Sequence, residues 1–549
     1  MILFEELKGV TEGEVAADEA TLKFFSRDTS LFEVKPAAVV FPKNVADIKN
    51  LVNHISEKKR ENPASNISLT ARSAGTDMTG GPLTESIVLN FTRYFNRVKE
   101  VTEDYAVAEP GVFYRDFEKE TLKKNAYLPS YPASREICAL GGMVANNSGG
   151  EKSLIYGKTE DYVSELKVVL GDGNEYVLKP LNPEELKEKL ALRNFEGEVY
   201  RRTRKLLEDN YDLARLAKPL VSKNSAGYDI WNIWDGKTFD LTKLFVGSQG
   251  TLGIVTEAKF KLVKTKPFSG MFVVFLNDLK PTAEIVNMIL PLKPMSLESF
   301  DDYTFKLALK FFYGFFKLFA RNPFSLFFGF LPEFWLALTR GLPRITILAE
   351  FEEETQTAVE EKLKQLEDKL KPLHLIRRIA HTAKAEKKYW IIRRESFNLL
   401  RQRARGMRTA PFVDDVIVDP KYLLEFLPKV YEILDRYRLL YTIAGHVGNG
   451  NFHIIPLMNL DEESERAKIP KAMEEVFSLV LNYHGSITAE HNDGLVRSHY
   501  LERMYGPKVY GLFKEIKNIF DPLNIFNPGK KVNADFDYAL RHIKQGEPQ

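Results

Sequence analysis

Two histidines stand seven residues apart in YTIAGHVGNGNFHIIPL, residues 441–457, around a loop made of little but glycine and asparagine. Tyr441 to Gly445 and Asn451 to Leu457 read as the strands of a hairpin, and the loop between them lets His446 and His453 meet across it. Two imidazoles so placed become a metal site once a third ligand joins them, and SITAEHNDGLVR, 486–497, offers Glu490. A His2Glu set with open positions fits zinc or manganese in a substrate-binding role. The competing reading is a pair of hydrogen-bonded structural histidines. His491 follows Glu490 directly, so in a straight strand the two side chains would face opposite ways. Both reach one site only if the chain bends, and Asn492-Asp493-Gly494 supplies residues for a bend.

The elements that would hold such a site come from two regions. From about 36 to 262, strand-like runs alternate with helical spacing, as in VADIKNLVNHISEKKR (45–60), with apolar residues at 45, 48, 51, 52 and 55. Three glycine clusters punctuate it: ARSAGTDMTGG (71–81), LGGMVANNSGGEKSLIYGKTED (140–161) and VGSQGTLGIVTE (246–257). Glycine permits close backbone approach, and successive exposed N–H groups wrap an anion such as a pyrophosphate, which points to a phosphate-bearing cofactor. None of the three is a GxGxxG between strand and helix with an acidic residue about 20 positions on, so the Rossmann fingerprint fails. A second region, about 266 to 520, mixes strands such as ITILAEF (345–351) with charged helices such as TAVEEKLKQLEDKLK (357–371).

Bulk composition removes several classes. At 549 residues the chain has room for two or three cores. Lysine plus arginine (77) nearly balance aspartate plus glutamate (75), so no field favours a nucleic-acid partner. The one cysteine, Cys138, excludes disulfides, cysteine-ligated iron–sulfur clusters and CxxC zinc sites within this chain. With acidic residues where a secretory signal would be basic, the expectation is a cytoplasmic protein.

PAAVVFPKNVADIKNLV, ARSAGTDMTGG, EPGV (109–112), ALGGMVANNSGG with YGKTED, and VGSQGTLGIVTEAKF occur in an order that resembles the FAD-binding domain of the vanillyl-alcohol-oxidase and p-cresol-methylhydroxylase superfamily. The second half resembles the cap of its D-2-hydroxyacid dehydrogenase branch, which takes D-lactate, D-2-hydroxyglutarate or glycolate, and GHVGNGNFH resembles that branch's HxGxGNxH motif. The resemblance implies an α+β fold: a two-subdomain FAD-binding domain over 36–265 after an N-terminal extension (1–35), and an α+β cap with an antiparallel sheet over 266–520. A C-terminal segment, 521–549, would return to the FAD domain. It implies that Arg72, Ser73, Gly75, Thr76, Gly142, Asn146, Ser148, Gly149 and Ile254 contact FAD. It further implies that His446, His453 and Glu490 hold the metal, that His491 takes the hydroxyl proton, and that Arg393, three residues after Trp390, binds the substrate carboxylate, with Arg394 and Arg497 in reserve. No histidine lies between 55 and 373, so the histidyl–flavin bond of some relatives has no residue here and the FAD should be noncovalent.

The chain departs from the branch at Asn492, where EHG is common and whose side chain is expected to narrow the room beside the base. It also departs at APFVDD (410–415), which lacks a lysine and so disfavours a dicarboxylate against a D-lactate-like substrate. Without iron–sulfur clusters, electrons should pass to an external acceptor, a membrane quinone or a soluble carrier. Residues 303–340, with eleven of the 38 phenylalanines and five cations, have no uncharged run beyond the eleven residues 322–332 and should not span a bilayer. They read as a peripheral membrane contact, on the inner face of the cell membrane, or as a lid. Two other functions are compatible with the sequence: a redox-neutral transferase resembling the alkyl-dihydroxyacetonephosphate synthases, and a flavin-free, membrane-associated binding protein.

Overall fold

The computed structural model describes residues 2–302, 341–382, 385–390, 392–393 and 406–546. The phenylalanine-rich stretch 303–340 and Arg394 lie outside the described residues, and with them the expected membrane contact or lid. Among the described residues no helix is long and apolar enough to cross a membrane.

The short apolar runs of the first region form two sheets. Ala38–Phe41 and Leu69–Arg72 flank Ile87–Asn90 in parallel, and all three strands are almost wholly buried, with polar residues among them only at Thr70, Arg72 and Asn90. The crossover helix Val45–Glu61 begins where the Asn44 side chain accepts the Asp47 N–H, and it buries Ile48, Leu51, Val52 and Ile55 at the spacing read from the sequence. Glu14–Ala16 adds an antiparallel edge strand and Leu7 is fully buried in the same core, so the stretch before residue 36 is built into the sheet. The second sheet is antiparallel, in the order Val98–Val101, Tyr105–Ala108, Ile254–Lys261, Val163–Val169, Glu175–Leu178. Two of the glycine clusters lie at the ends of these strands, after Leu69–Arg72 and before Ile254–Lys261, where their backbones face one cleft.

The second region is an eight-stranded antiparallel sheet covered by helices including Gln356–Leu370 and Leu423–Arg436. Its centre is the pair Ile345–Glu353 and Ser296–Asp301, followed by the hairpin Leu440–His446 and Asn451–Met458. After helix Leu501–Phe520 the chain returns to the first sheet: Ile525 O accepts the Leu69 N–H, and Ile525 and Phe526 join the core of Leu69 and Leu89. Lys531 and Asp493, both fully buried, pair at 2.8 Å, and the lysine also donates to the Ser225 and Gly227 carbonyls, so three distant segments meet under the site.

His499 gives this region a pH dependence. Its ring stacks on Phe536 at 3.9 Å between centroids, neither ring nitrogen has a hydrogen-bond partner, and burial lowers it from an ordinary value near 6.5 to about 4. The unfolded chain therefore takes up a proton below 6.5 that the folded chain refuses until about 4, and stability falls across that window as the pH drops. His499→Phe is expected to weaken this fall, so that urea midpoints at pH 7 and pH 5 draw closer together than in the unsubstituted protein. An unchanged difference would contradict the assignment.

Candidate active site

One cleft of about 510 Å³ has the glycine loops as one wall and the cap sheet as the other. On the first wall Arg72, Ser73, Gly75, Thr76, Gly142, Asn146, Ser148 and Gly149 all line it. The Arg72 guanidinium is turned inward, donating to the Phe25 and Arg27 carbonyls, so it shapes the loop. Ile254 does not line the cleft. Its side chain packs in the core with Val169, and its neighbours Gly253 and Val255 face the cleft, as the alternation of a strand requires. A Cβ placed on Gly142, in the helix Leu140–Asn146, would meet nothing within 4 Å, so this turn of helix leaves room for a group lying directly on its backbone. That is the arrangement a flavin nucleotide needs, and the residues fit it.

The cap wall carries the histidines. Ala444 lies opposite His453 and Gly445 opposite Phe452, so His446 and His453 share a face diagonally, with ring centroids 5.2 Å apart. Both Nε2 atoms point at one carboxylate oxygen, Glu490 Oε1, at 3.1 Å from His446 and 3.5 Å from His453. Each Nδ1 is held from behind by another buried carboxylate: Glu298 at 2.5 Å for His446, Asp414 at 3.2 Å for His453. Carboxylates behind imidazoles whose front nitrogens converge is how metal-binding histidines are oriented. Among the described residues the group whose ligand atoms lie within 4.8 Å of one another is Asp415, His453, Glu490 and His491, without His446, and Asp415 Oδ2 already accepts from Thr488 Oγ1 and from the N–H groups of Ala489, Glu490 and His491, which leaves it a poor ligand.

That four-donor clamp is the bend the sequence required. Asn492, at φ 73°, follows it, and the turn brings both Glu490 and His491 to the cleft. Asn492 itself is a correction: its side chain does not narrow the space beside His491 but donates to the Asn146 and Gly247 carbonyls, joining two glycine loops. A positive φ explains why asparagine stands where glycine is common. The His491 ring stacks on His453 at 4.9 Å, and its Nδ1 lies 2.7 Å from Asp414 Oδ2, out of line for a hydrogen bond.

Charge in this pocket is balanced by pairs. Burial opposes charge on His453, but the Asp414 and Glu490 carboxylates outweigh it and push the imidazole up to about 10. Burial likewise opposes charge on Glu490, and Lys223 and His446 hold it well below the usual carboxylate range. Lys223, from the glycine-loop side, donates to Glu490 Oε2 at 2.8 Å and to Asn451 Oδ1 at 3.0 Å with a side chain 1 % exposed. Arg393 lines the cleft with its Nε 3.1 Å from Glu298 Oε2, so Glu298 bridges the expected substrate arginine and an expected metal ligand. Arg497 does not line the cleft: it is fully buried and donates to the Asn492 and Asp414 carbonyls, so it supports the turn. Sequence reasoning missed Lys223, Glu298, Asp414 and Asp415. The signal was there in SLESF and FVDDVIV, where carboxylates interrupt runs that read as buried strands and so demand partners.

The FAD binding domain family matches residues 36–179, and the C-terminal domain of FAD linked oxidases matches 271–531. The D-2-hydroxyglutarate dehydrogenase of Pseudomonas putida is 28% identical over 94% of the chain and 50% of its own length. The chain thus spans about half the length of the curated relatives it first matches. The glycolate oxidase subunit of Bacillus subtilis is 27% identical over 92% of the chain and 91% of its own. Among solved structures, p-cresol methylhydroxylase with substrate bound superposes with a TM-score of 0.65 at 16% identity, over 97% of this chain and 96% of that one, a likeness of fold.

Proposed function

We propose that this chain, which belongs to the FAD-linked oxidases of the vanillyl-alcohol-oxidase and p-cresol-methylhydroxylase superfamily, is an FAD-dependent dehydrogenase that oxidises a D-2-hydroxy acid to the 2-oxo acid. The observation that carries this reading is the convergence of His446, His453, Glu490 and His491 on the cap wall of a cleft whose other wall is the glycine loops. FAD, when bound, would supply a two-electron oxidant able to accept the α-hydrogen as hydride. Arg393, fixed by Glu298, presents a cation to the substrate carboxylate. His446, His453 and Glu490 would hold zinc or manganese, a Lewis acid for the substrate oxygens. His491 takes the hydroxyl proton, with Asp414 beside its Nδ1 to stabilise the imidazolium that results.

Thr409, Thr442, Ala444 and Ile455 line the cap side with small neutral or apolar groups, which supports a D-lactate-like acid. The electrons leave to an external acceptor. The FAD is held without a covalent bond: the FAD-binding region has no histidine between residues 55 and 373, and burial pushes the Cys138 thiol, which lines the cleft, up to about 12, far from a reactive thiolate. Acid precipitation is therefore expected to leave the flavin in the supernatant, and a yellow pellet would contradict this. The function is tested by mixing the FAD-loaded protein anaerobically with D- and L-2-hydroxy acids. Bleaching of the flavin by one or more D-acids and not by their L-enantiomers is expected. A flavin that no 2-hydroxy acid bleaches would refute the dehydrogenase reading.

A further inference from the structure

Residues 385–390, 392 and 393 are helical, and three side chains on one face of that run, Glu386, Trp390 and Arg393, each meet a different strand of the cap sheet. Glu386 Oε2 accepts from Ser269 Oγ at 2.9 Å, on the strand Phe268–Leu276. Trp390 Nε1 donates to Glu350 Oε1 at 3.2 Å, on Ile345–Glu353. Arg393 Nε reaches Glu298 Oε2 at 3.1 Å, on Ser296–Asp301. These strands are consecutive neighbours in the sheet. Ser269 lies opposite Glu352, Glu350 opposite Ser296, and Glu298 opposite Leu348, so the three contact points keep to one face and step diagonally by two residues per strand.

Polar contacts at this depth are costly unless each is completed. Glu386 is 4 % exposed and Glu350 and Trp390 are 7 %, beside an apolar cluster that includes Met271, Val273, Leu348 and Ile392. Apolar packing alone tolerates a slide or a rotation of the helix, whereas the three contacts are made together in one placement. Indole Nε1 is a donor only, so Glu350 is the acceptor of the middle contact, and its other oxygen pairs with the fully buried Ser296 Oγ at 3.1 Å. Ser296 and Glu298 stand two residues apart on one strand. The anchor of Trp390 and the anchor of Arg393 therefore belong to one stretch of backbone.

We propose that Glu350 is a positioning residue for the reaction: through Trp390 it sets the depth and rotation of the helix that presents Arg393 to the substrate carboxylate. Glu350 stands behind the cleft wall and touches no substrate. The inference rests on the reading of Arg393 as the substrate arginine. Burial and the carboxylates of Glu352, Glu151 and Glu386 push Glu350 up to about 8, against Lys152, which is paired with Glu352 at 2.8 Å. At neutral pH it is thus an uncharged acid. Its ionisation above that pH adds a negative charge to the sheet face that carries Arg393, and this opposes the binding of an anionic substrate.

The probe is 2-hydroxy-2-methylpropanoate, a 2-hydroxy acid with no α-hydrogen, which occupies the site without reducing the flavin. It is titrated into the full chain loaded with FAD, and the dissociation constant is read from the flavin absorbance. Trp390→Phe keeps a ring and removes the donor, and should weaken binding about 10-fold, the scale of a buried acceptor left without its partner. Glu350→Leu should weaken it similarly, and serves as the second variant if Trp390→Phe does not retain FAD. Glu350→Gln keeps an acceptor for the indole and a donor for Ser296. It should bind as the unsubstituted protein does at about pH 7 and keep that affinity at about pH 9, where the unsubstituted protein loses it. Unchanged affinity in Trp390→Phe and Glu350→Leu, with weakened binding in Arg393→Gln, would overturn the inference and leave the reading of Arg393 standing. A loss in Glu350→Gln equal to that in Glu350→Leu would overturn it as well. Unchanged affinity in Arg393→Gln itself would overturn both.

Discussion

His491→Asn is expected to slow flavin reduction by a hydroxy acid by about 10²–10⁴-fold, the usual worth of a positioned base. The ring faces the cleft, stacks on His453 and has a fully buried carboxylate, Asp414, 2.7 Å from Nδ1. That carboxylate raises the basicity of His491 against the opposing effect of burial, so the side chain is built to hold a proton once it has taken one. Asparagine keeps the approximate volume and removes the titrating group. FAD content and metal content should remain those of the unsubstituted protein, because Glu490 and the hairpin histidines are positioned by Asp415, Glu298 and Asp414. Stopped-flow absorbance of the flavin under nitrogen measures the effect. Reduction at an undiminished rate would remove His491 from the chemistry, and loss of FAD would show that its role is structural.

The second large effect falls on Asp415, which touches no substrate. One of its oxygens accepts four hydrogen bonds from the 488–491 turn and the other accepts the Asn451 side chain at 3.1 Å. Asp415→Asn places an amide N–H2 against donors whichever way the amide is turned. It also removes the negative charge on which the buried N–H groups of Glu490 and His491 converge. A loss of about 3 kcal/mol in stability is expected, the scale of buried donors left without an ionised acceptor. With it should go most of the activity, because the same turn presents a proposed ligand and the proposed base. Urea denaturation monitored with flavin fluorescence reads the first, and turnover reads the second. A variant as stable and as active as the unsubstituted protein would mean that the turn is set by its own sequence.

The hairpin was legible in the sequence because its signals are local: alternating apolar residues, a glycine and asparagine loop, and two histidines whose spacing puts them on one face. The glycine loops were legible for the same reason, and on the strand that follows one of them a step of one residue exchanges cleft for core, as Val255 and Ile254 do. The carboxylates and the lysine behind the site were not legible. Glu298 reaches His446 from 148 residues away and Lys223 reaches Glu490 from 267, and no spacing rule connects them. Arg497 shows the complementary limit. Residue type suggested an anion-binding side chain, but direction is decided by the helical turn Gly494–Arg497, which aims the guanidinium at backbone carbonyls beneath the site.

The central claim is that a D-2-hydroxy acid loses its α-hydrogen to the flavin in this cleft, and the most direct measurement is flavin reduction by a D-2-hydroxy acid carrying deuterium at C2, compared with the protiated acid. The account predicts that both acids bleach the flavin to the same extent under nitrogen, that the deuterated acid does so more slowly, and that the 2-oxo acid forms in equimolar amount. Equal rates measured at the reduction step itself, or bleaching without 2-oxo acid, would contradict it.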